Sequence, residues 1–189
     1  MTGEGCLHFR CGDLIGSNHL SFGFMKFGSF SRHLPRDVRT IGIVAQHFDP
    51  SGQTRLYDGE AKCKQVVLAF VDFLQQEFQE ATISIRNDTK ETITLTYAHM
   101  VMAEHVVVGT SSFGAFPAVA TCRTGYIRKP DYPKAPNRWL LYTPSIEEVV
   151  DNVKMVEEPK MMAVQCQKRW GKDGSAVIDW FRDYAMEFD

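Results

Sequence analysis

The sequence predicts an α/β fold of the doubly wound, Rossmann-like kind, in which a mainly parallel sheet is flanked by helices. Short apolar segments alternate along the chain with longer segments of helical periodicity. The apolar segments are nearly continuous, which is typical of strands that are buried on both faces of a parallel sheet. The chain has 189 residues, of which 44% are hydrophobic, so one domain with a substantial core is expected.

The first part of the chain is predicted to contain two strands joined by a long loop. Residues 6–10 form a short apolar strand, and residues 38–45 form a second strand that is rich in β-branched side chains. Residues 13–36 contain many Gly, Ser and Phe residues, so a loop is expected there. Residues 48–59 are polar and include an Asp-Pro-Ser-Gly turn.

The middle of the chain shows the clearest alternation of helix and strand. Residues 61–80 are predicted to form a helix because large apolar side chains recur on one face. These side chains are Val66, Phe70, Phe73, Leu74 and Phe78. A strand at 81–86, a helix at 91–103, a strand at 106–108, a helix at 113–121 and a strand at 125–128 come next in order.

The composition changes after residue 130. Residues 131–139 form a connector that is punctuated by prolines, residues 145–155 have the pattern of a capped helix, and residues 175–184 have that of an amphipathic helix. We therefore predict one α/β domain over residues 1–130, with residues 131–189 as a connector and helices that pack on the same domain.

Charge and hydropathy exclude two classes of partner. The formal net charge is −2, whereas nucleic-acid binding requires a clear basic excess. No segment approaches the ~18 consecutive apolar residues of a membrane-spanning helix. We therefore expect neither nucleic acid as a partner nor a membrane span within this chain.

The cysteines and histidines do not predict a metal site. There are five cysteines, an odd number, and they include no Cys-x-x-Cys pair, so neither a zinc site nor a disulfide framework is expected. Cys6 and Cys11 are interpreted as small core residues at a strand end. The six histidines show no spacing typical of metal ligands.

Two polar segments at the ends of predicted strands carry the candidate site. His8, Arg10 and Asp13 come at the end of the first strand, and residues 110–113 (Thr-Ser-Ser-Phe) come after the apolar strand at 106–108. Arginine can hold two phosphate oxygens at once, and a helix start after Thr and Ser supplies N–H donors to an anion. Together these groups indicate a diphosphate ligand beyond the carboxyl ends of the strands.

The two segments also resemble a known family. His8-x-Arg10-x-x-Asp13 is similar to the His-x-Arg-x-x-Asp motif of the α1,2-, α1,6- and protein O-fucosyltransferases, and residues 111–114 resemble their later Ser-Ser-Phe-Gly motif. The resemblance covers roughly residues 5–130 and implies the C-terminal, nucleotide-sugar-binding half of a two-domain (GT-B type) enzyme. It implies an inverting, metal-independent transfer from GDP-fucose to a glycan or glycoprotein acceptor, without a cofactor, in the Golgi or ER lumen.

Each candidate residue has a functional interpretation, and several also have a structural one. Arg10 contacts the diphosphate, in preference to a surface salt bridge with Asp13. His8 is either a ligand contact or a buried structural histidine, and Asp13 either orients Arg10 or caps a turn. Thr110, Ser111, Ser112 and Phe113 surround the β-phosphate, and this role is compatible with a helix N-cap at the same place.

Two positions depart from the family pattern. An acidic residue that would read the guanine edge is expected near residue 96, where this chain has Thr96; Asp88 and Glu91 are alternatives at a different spacing. The glutamate that serves as a general base in α1,6-type members is missing, and His19 is the candidate for this role, with polar surface as the other interpretation.

Three functions therefore fit the sequence. The first is a fucosyltransferase-like glycosyltransferase that uses a GDP-sugar. The second is a non-catalytic nucleotide-sugar or glycan-binding module that lacks the acceptor domain. The third is a transferase for a different nucleotide sugar, which the threonine at position 96 allows.

Overall fold

The computed structural model describes residues 3–15, 23–45, 58–86, 92–109, 111–128 and 151–185, with the backbone alone for Asp13, Asp58 and Ser112. Within these residues the strands are β1 Glu4–Phe9, β2 Gly23–Met25, β3 Thr40–Ala45, β4 Thr82–Arg86, β5 His105–Val108, β6 Thr124–Arg128, β7 Val153–Val156 and β8 Lys160–Met162. The helices are α1 Gly12–Ile15, α2 Phe27–Ser31, α3 Asp58–Glu77, α4 Ile93–Met102, α5 Ser112–Ala120, α6 Ala163–Arg169 and α7 Ser175–Arg182.

Six of the described strands form one sheet in the order β4-β3-β1-β5-β6-β7, and each pairing between them is parallel. The chain moves outward from β1 through β3 to β4, and then returns to the other side of β1 at β5. This reversal gives the strand order of a Rossmann fold. The predicted α/β, doubly wound fold is therefore confirmed.

Side-chain alternation along β1 divides the core into two clusters, one on each face of the sheet. On the first face, the ring of Phe9 lies 5.5 Å from the ring of Phe70 and 5.9 Å from that of Phe181. Helices α1, α2, α3, α6 and α7 contribute to this cluster. Cys6 lies in the cluster on the second face, to which α4 and α5 contribute. The sheet is thus covered by helices on both faces.

The segment that was predicted to be a single loop, residues 13–36, contains most of α1 and all of β2 and α2, so that prediction is wrong. α1 has four residues and β2 has three, which is too short for a periodic pattern to show in the sequence. β2 exists because it pairs antiparallel with β8, a strand from the other end of the chain. Such long-range pairing leaves no local signal.

The prediction of a helix over residues 145–155 is wrong for its last part. Val153–Val156 forms β7, which extends the sheet beside β6. The Asn152 side chain donates a hydrogen bond to the backbone oxygen of Thr121, and Gly125 N donates to the backbone oxygen of Asn152 at 2.8 Å. The sequence of a short apolar segment does not distinguish a strand from a helix. Residues 153–156 form a strand because they pair with β6, which otherwise would be the last strand of the sheet.

Two buried polar side chains attach the C-terminal residues to the first half of the chain. The Glu158 carboxylate accepts hydrogen bonds from His33 Nε2 at 2.8 Å and from Tyr184 Oη at 3.0 Å. The Lys26 ammonium donates to the backbone oxygens of Asp183 and Tyr184, at 2.9 and 3.0 Å. Buried charges are tolerated when they are paired in this way. Residues from both ends of the chain therefore share one core.

The structure contains a disulfide between Cys11 and Cys63, with Cα atoms 5.4 Å apart, which lies within the usual range. The expectation that no disulfide framework is present, with Cys11 as a simple core residue, is wrong in this respect. Cys11 comes directly after Arg10, and Cys63 lies in α3. The bond therefore attaches the segment after β1 to the longest described helix.

We expect this disulfide to stabilise the fold. The two cysteines are 52 residues apart, for which the loss of chain entropy in the unfolded state corresponds to about 4 kcal/mol. Chemical denaturation should show a loss of this order in Cys63→Ser, whereas Cys122→Ser, which changes an exposed free cysteine, should match the wild type. Alkylation of the denatured, unreduced chain should leave Cys11 and Cys63 unlabelled; labelling of both would contradict the assignment.

Candidate functional site

The carboxyl ends of β1 and β5 lie side by side at the point where the strand order of the sheet reverses. The two strands pair in parallel, with His8 opposite Val108. Arg10 comes directly after β1, and Ser111 comes shortly after β5. In open α/β sheets, ligands bind beyond the strand ends at this reversal point. The fold thus brings segments of the two predicted motifs to one edge of the sheet.

A small cavity lies between these strand ends. It has a volume of about 10 Å³, and His8, Arg10, Gly109 and Ser111 are among its lining residues. This volume is close to the space that one water molecule requires. The cavity is therefore too small to enclose a diphosphate.

His8 forms one wall of the cavity and is almost completely buried, with 6% of its surface exposed. Its ring packs against Phe113, with the centroids 5.6 Å apart. Burial, and secondly the positive charge of Arg10, lower the pKa of His8 to about 4. The ring is therefore neutral at physiological pH. Its Nδ1 atom is buried and has no hydrogen-bond partner among the described residues.

Gly114 allows α5 to approach the sheet closely at this point. A Cβ atom at position 114 would lie 2.5 Å from Val108 Cγ1 and 2.8 Å from His8 Nδ1, closer than van der Waals contact allows. The missing side chain thus lets the first turn of α5 lie directly over the ends of β1 and β5. The same requirement explains why the predicted Ser-Ser-Phe-Gly motif ends in glycine.

Ser111 is the N-cap residue of α5, and 7% of its surface is exposed. Within the described part of the chain its Oγ atom has no hydrogen-bond partner, so the hydroxyl does not cap the helix. The first bond of the helix runs from Ala115 N to the Ser111 carbonyl oxygen at 3.2 Å, which leaves the N–H groups of residues 112–114 without an intrahelical acceptor. Such a helix start attracts anions.

The structure also places four further predicted site residues near this edge. Arg10 is partly buried and lines the cavity. Asp13 lies in α1, but its side chain is outside the described atoms, as is that of Ser112 at the start of α5. Phe113 is partly buried and meets the ring of Tyr97 edge-on, with the centroids 5.8 Å apart. Phe113, which belongs to α5, therefore contacts both His8 of β1 and Tyr97 of α4.

The remaining candidates lie elsewhere or outside the described residues. Thr96 belongs to α4, where its N–H donates to the Thr92 carbonyl oxygen at 3.0 Å. Thr92 in turn caps this helix by accepting a hydrogen bond from Leu95 N at 3.2 Å. His19, Thr110, Asp88 and Glu91 are outside the described part of the chain, so their predicted roles stay predictions.

The opposite wall of the cavity was not predicted. It is formed by β2 and α2, and it includes Phe24, Met25 and Phe30. A Cβ atom on Gly109 would lie 3.8 Å from the Phe30 ring and 3.9 Å from the Met25 sulfur. The only signal in the sequence was the Gly- and Phe-rich composition of residues 21–30. This composition indicates that the segment packs in the core, but it does not indicate which strand the segment contacts.

Other kinds of site find no support in the described residues. Among them no group of three or more His, Cys, Asp or Glu side chains could hold a metal ion. Within the same ranges, no helix combines the length and apolar character needed to cross a membrane.

The comparisons with known proteins add no assignment. Neither the protein-family models, nor the curated proteins, nor the solved structures contain a match to this chain. The resemblance to fucosyltransferases therefore rests on the two sequence motifs.

The low pKa of His8 predicts a specific dependence of stability on pH. Its folded-state pKa of about 4 lies below the ordinary histidine value of 6.5, so the unfolded chain binds a proton first as the pH falls. The contribution of the neutral His8 ring to the free energy of unfolding is fully present above pH 6.5. About 3 kcal/mol of this free energy is lost as the pH falls to 4. In urea denaturation, His8→Gln should lose less stability than the wild type over this interval. Parallel curves for the two proteins would contradict the prediction.

Proposed function

We propose that this chain binds the diphosphate of a nucleotide sugar at the reversal point of its sheet, as the donor-binding part of a fucosyltransferase-like glycosyltransferase. The observation that supports the proposal best is that Arg10 and Ser111, which come from two distant motifs, line one cavity at this edge. The donor would be GDP-fucose or a related GDP-sugar, and the acceptor a glycan or glycoprotein.

The chemistry of sugar transfer explains why these groups are needed. When the bond between the anomeric carbon and the β-phosphate breaks, negative charge develops on the diphosphate while the sugar becomes oxocarbenium-like. The Arg10 guanidinium would hold that charge with two parallel N–H groups. The first turn of α5 adds N–H donors that are already oriented before the reaction begins. Both groups act on the leaving diphosphate rather than on the acceptor.

Two buried side chains provide further contacts for a phosphate oxygen. The Ser111 hydroxyl lacks a partner within the described residues and can donate a hydrogen bond to the ligand. The neutral His8 ring lines the same cavity, so it can donate one N–H without adding charge. A ligand that pairs such groups offsets the cost of burying them unpaired.

An acceptor base would come from outside these groups. In an inverting transfer a base removes the proton of the acceptor hydroxyl on the side of the sugar opposite the leaving group. His19 is the candidate for this role, since histidine is the side chain that most often serves as a general base near neutral pH. The proposed location in the secretory lumen fits the Cys11–Cys63 disulfide, because disulfides persist in oxidising compartments.

A second candidate function is a module that binds a nucleotide sugar without catalysis. It is favoured by Thr96, which stands in α4 where the family pattern has an acidic residue for the guanine edge. A threonine hydroxyl cannot accept two N–H groups as a carboxylate does. Thr96 is also compatible with a nucleotide whose base is not guanine.

Arg10→Ala tests the diphosphate site. Calorimetric titration with GDP, UDP and GDP-fucose should show binding to the wild type that is about ten- to a hundredfold weaker in the variant, because a charge-assisted hydrogen bond is lost. Arg39→Ala is the matched control, since Arg39 is exposed and precedes β3 at the opposite edge of the sheet. Equal affinities of wild type and Arg10→Ala, or no binding of any of the three nucleotides to the wild type, would refute the proposal. Release of fucose or transfer to an acceptor then distinguishes the enzyme from the module.

Ser111→Ala separates ligand binding from stability. Since the Ser111 hydroxyl is buried without a partner among the described residues, its removal should leave the free energy of unfolding unchanged or raise it slightly. Binding of the same nucleotides should weaken about two- to tenfold. Ser29→Ala is the control, because Ser29 Oγ is also buried and unpartnered among the described residues, and it lies in α2. A loss of affinity in both variants would contradict a specific role for Ser111.

A further inference from the structure

Helices α4 and α5 pack against each other on the second face of the sheet, and several apolar side chains on their outer sides are exposed. Leu95 and Met102 of α4 are 46% and 74% exposed, and Phe116 of α5 is 69% exposed. Ala98 and Ala120 are exposed beside them. Residues 95, 98 and 102 have the spacing of one helical face, as do residues 116 and 120. We call these five residues the α4/α5 surface.

This surface carries no charge. Between Ile93 and Met102, and between Ser112 and Ala120, the sequence contains no Asp, Glu, Lys or Arg. Helix α3, one of the helices on the first face, is different: it exposes Gln65, Asp72 and Gln76, and Leu68 is its isolated apolar side chain of comparable exposure. A solvated helix face is therefore present elsewhere in the fold, and the apolar α4/α5 surface resembles the core of an interface instead.

The absence of charge favours a second copy of this chain as the partner. A two-fold interface places each patch against its own copy, so a charged patch repels itself, whereas an uncharged one does not. The α4/α5 surface also combines large exposed side chains, Met102 and Phe116, with small ones, Ala98 and Ala120. A helical surface that binds a membrane instead carries Lys and Arg on its polar side, and the sequences of both helices contain none.

The charged residues at the rim of the α4/α5 surface also suit a second copy of this chain as the partner. Arg123, just beyond α5, pairs with Glu104, just beyond α4, at 3.4 Å. This pair places one charge of each sign at the rim, where two-fold symmetry can bring opposite charges together. We propose that the α4/α5 surface is the interface of a homodimer formed by two copies of this chain. The proposal does not depend on the nucleotide site.

Sedimentation velocity over a wide range of protein concentration tests the proposal. The wild type should show a reversible monomer–dimer equilibrium, and Phe116→Asp should weaken the dimer at least about thirtyfold, because it would bury a carboxylate at the centre of the interface. Met102→Asp, at a second position of the surface, should have the same effect. Leu68→Asp is the matched control, since it introduces the same charge at an exposed apolar residue of α3, and it should dimerise as the wild type does.

Circular dichroism and thermal unfolding of all four proteins establish that the exposed substitutions leave the fold intact. A wild type that sediments as a monomer at every concentration would overturn the proposal. Binding of this monomer to phosphatidylcholine or phosphatidylserine vesicles would show that the surface contacts membranes instead. A dimer that persists in both Phe116→Asp and Met102→Asp, or that is lost equally in Leu68→Asp, would overturn it as well.

Discussion

The parallel pairing of β1 with β5 is the constraint on which the candidate site depends. It places His8 opposite Val108, so the segments after the two strands leave the sheet at the same edge. Helix α5 can begin there only because Gly114 carries no side chain between Val108 and His8. The candidate site therefore depends on the pairing of β1 with β5 and on the close contact of α5 with these two strands. Helix α2 and strand β2 form the opposite wall of the cavity.

Unpartnered polar atoms alone do not mark a functional site. Among the described residues, four such buried atoms occur, on His8, Ser29, His105 and Ser111. Each costs about 1–3 kcal/mol if it stays unpaired. Only His8 and Ser111 also line the cavity between the strand ends, beside the positive charge of Arg10. The coincidence of these features, and not the missing hydrogen bonds by themselves, supports an anionic ligand.

Features with a local pattern could be predicted from the sequence, and features that depend on distant partners could not. The apolar segments that form β1, β3, β4, β5 and β6 and the periodicity of α3 were sufficient for the fold class. β2 and β7 were missed because each becomes a strand only beside β8 or β6. The Cys11–Cys63 pairing joins elements whose contact is set by the tertiary fold. At the candidate site, Arg10 and Ser111 were found through their motifs, whereas Met25 and Phe30 carried no signal of their position.

The composition of α5 reflects the three environments that it meets. At its start, Ser111 lines the cavity, and the N–H groups of residues 112–114 have no intrahelical acceptor. Its inner side lies close to the sheet: Gly114 approaches β1 and β5, and the carbonyl oxygen of Ala118 would collide with a Cβ atom on Gly125 of β6. Its outer side carries Phe116. Since a charge on the inner side would be buried and one on the outer side would oppose its own copy in the proposed dimer, an uncharged helix satisfies both requirements.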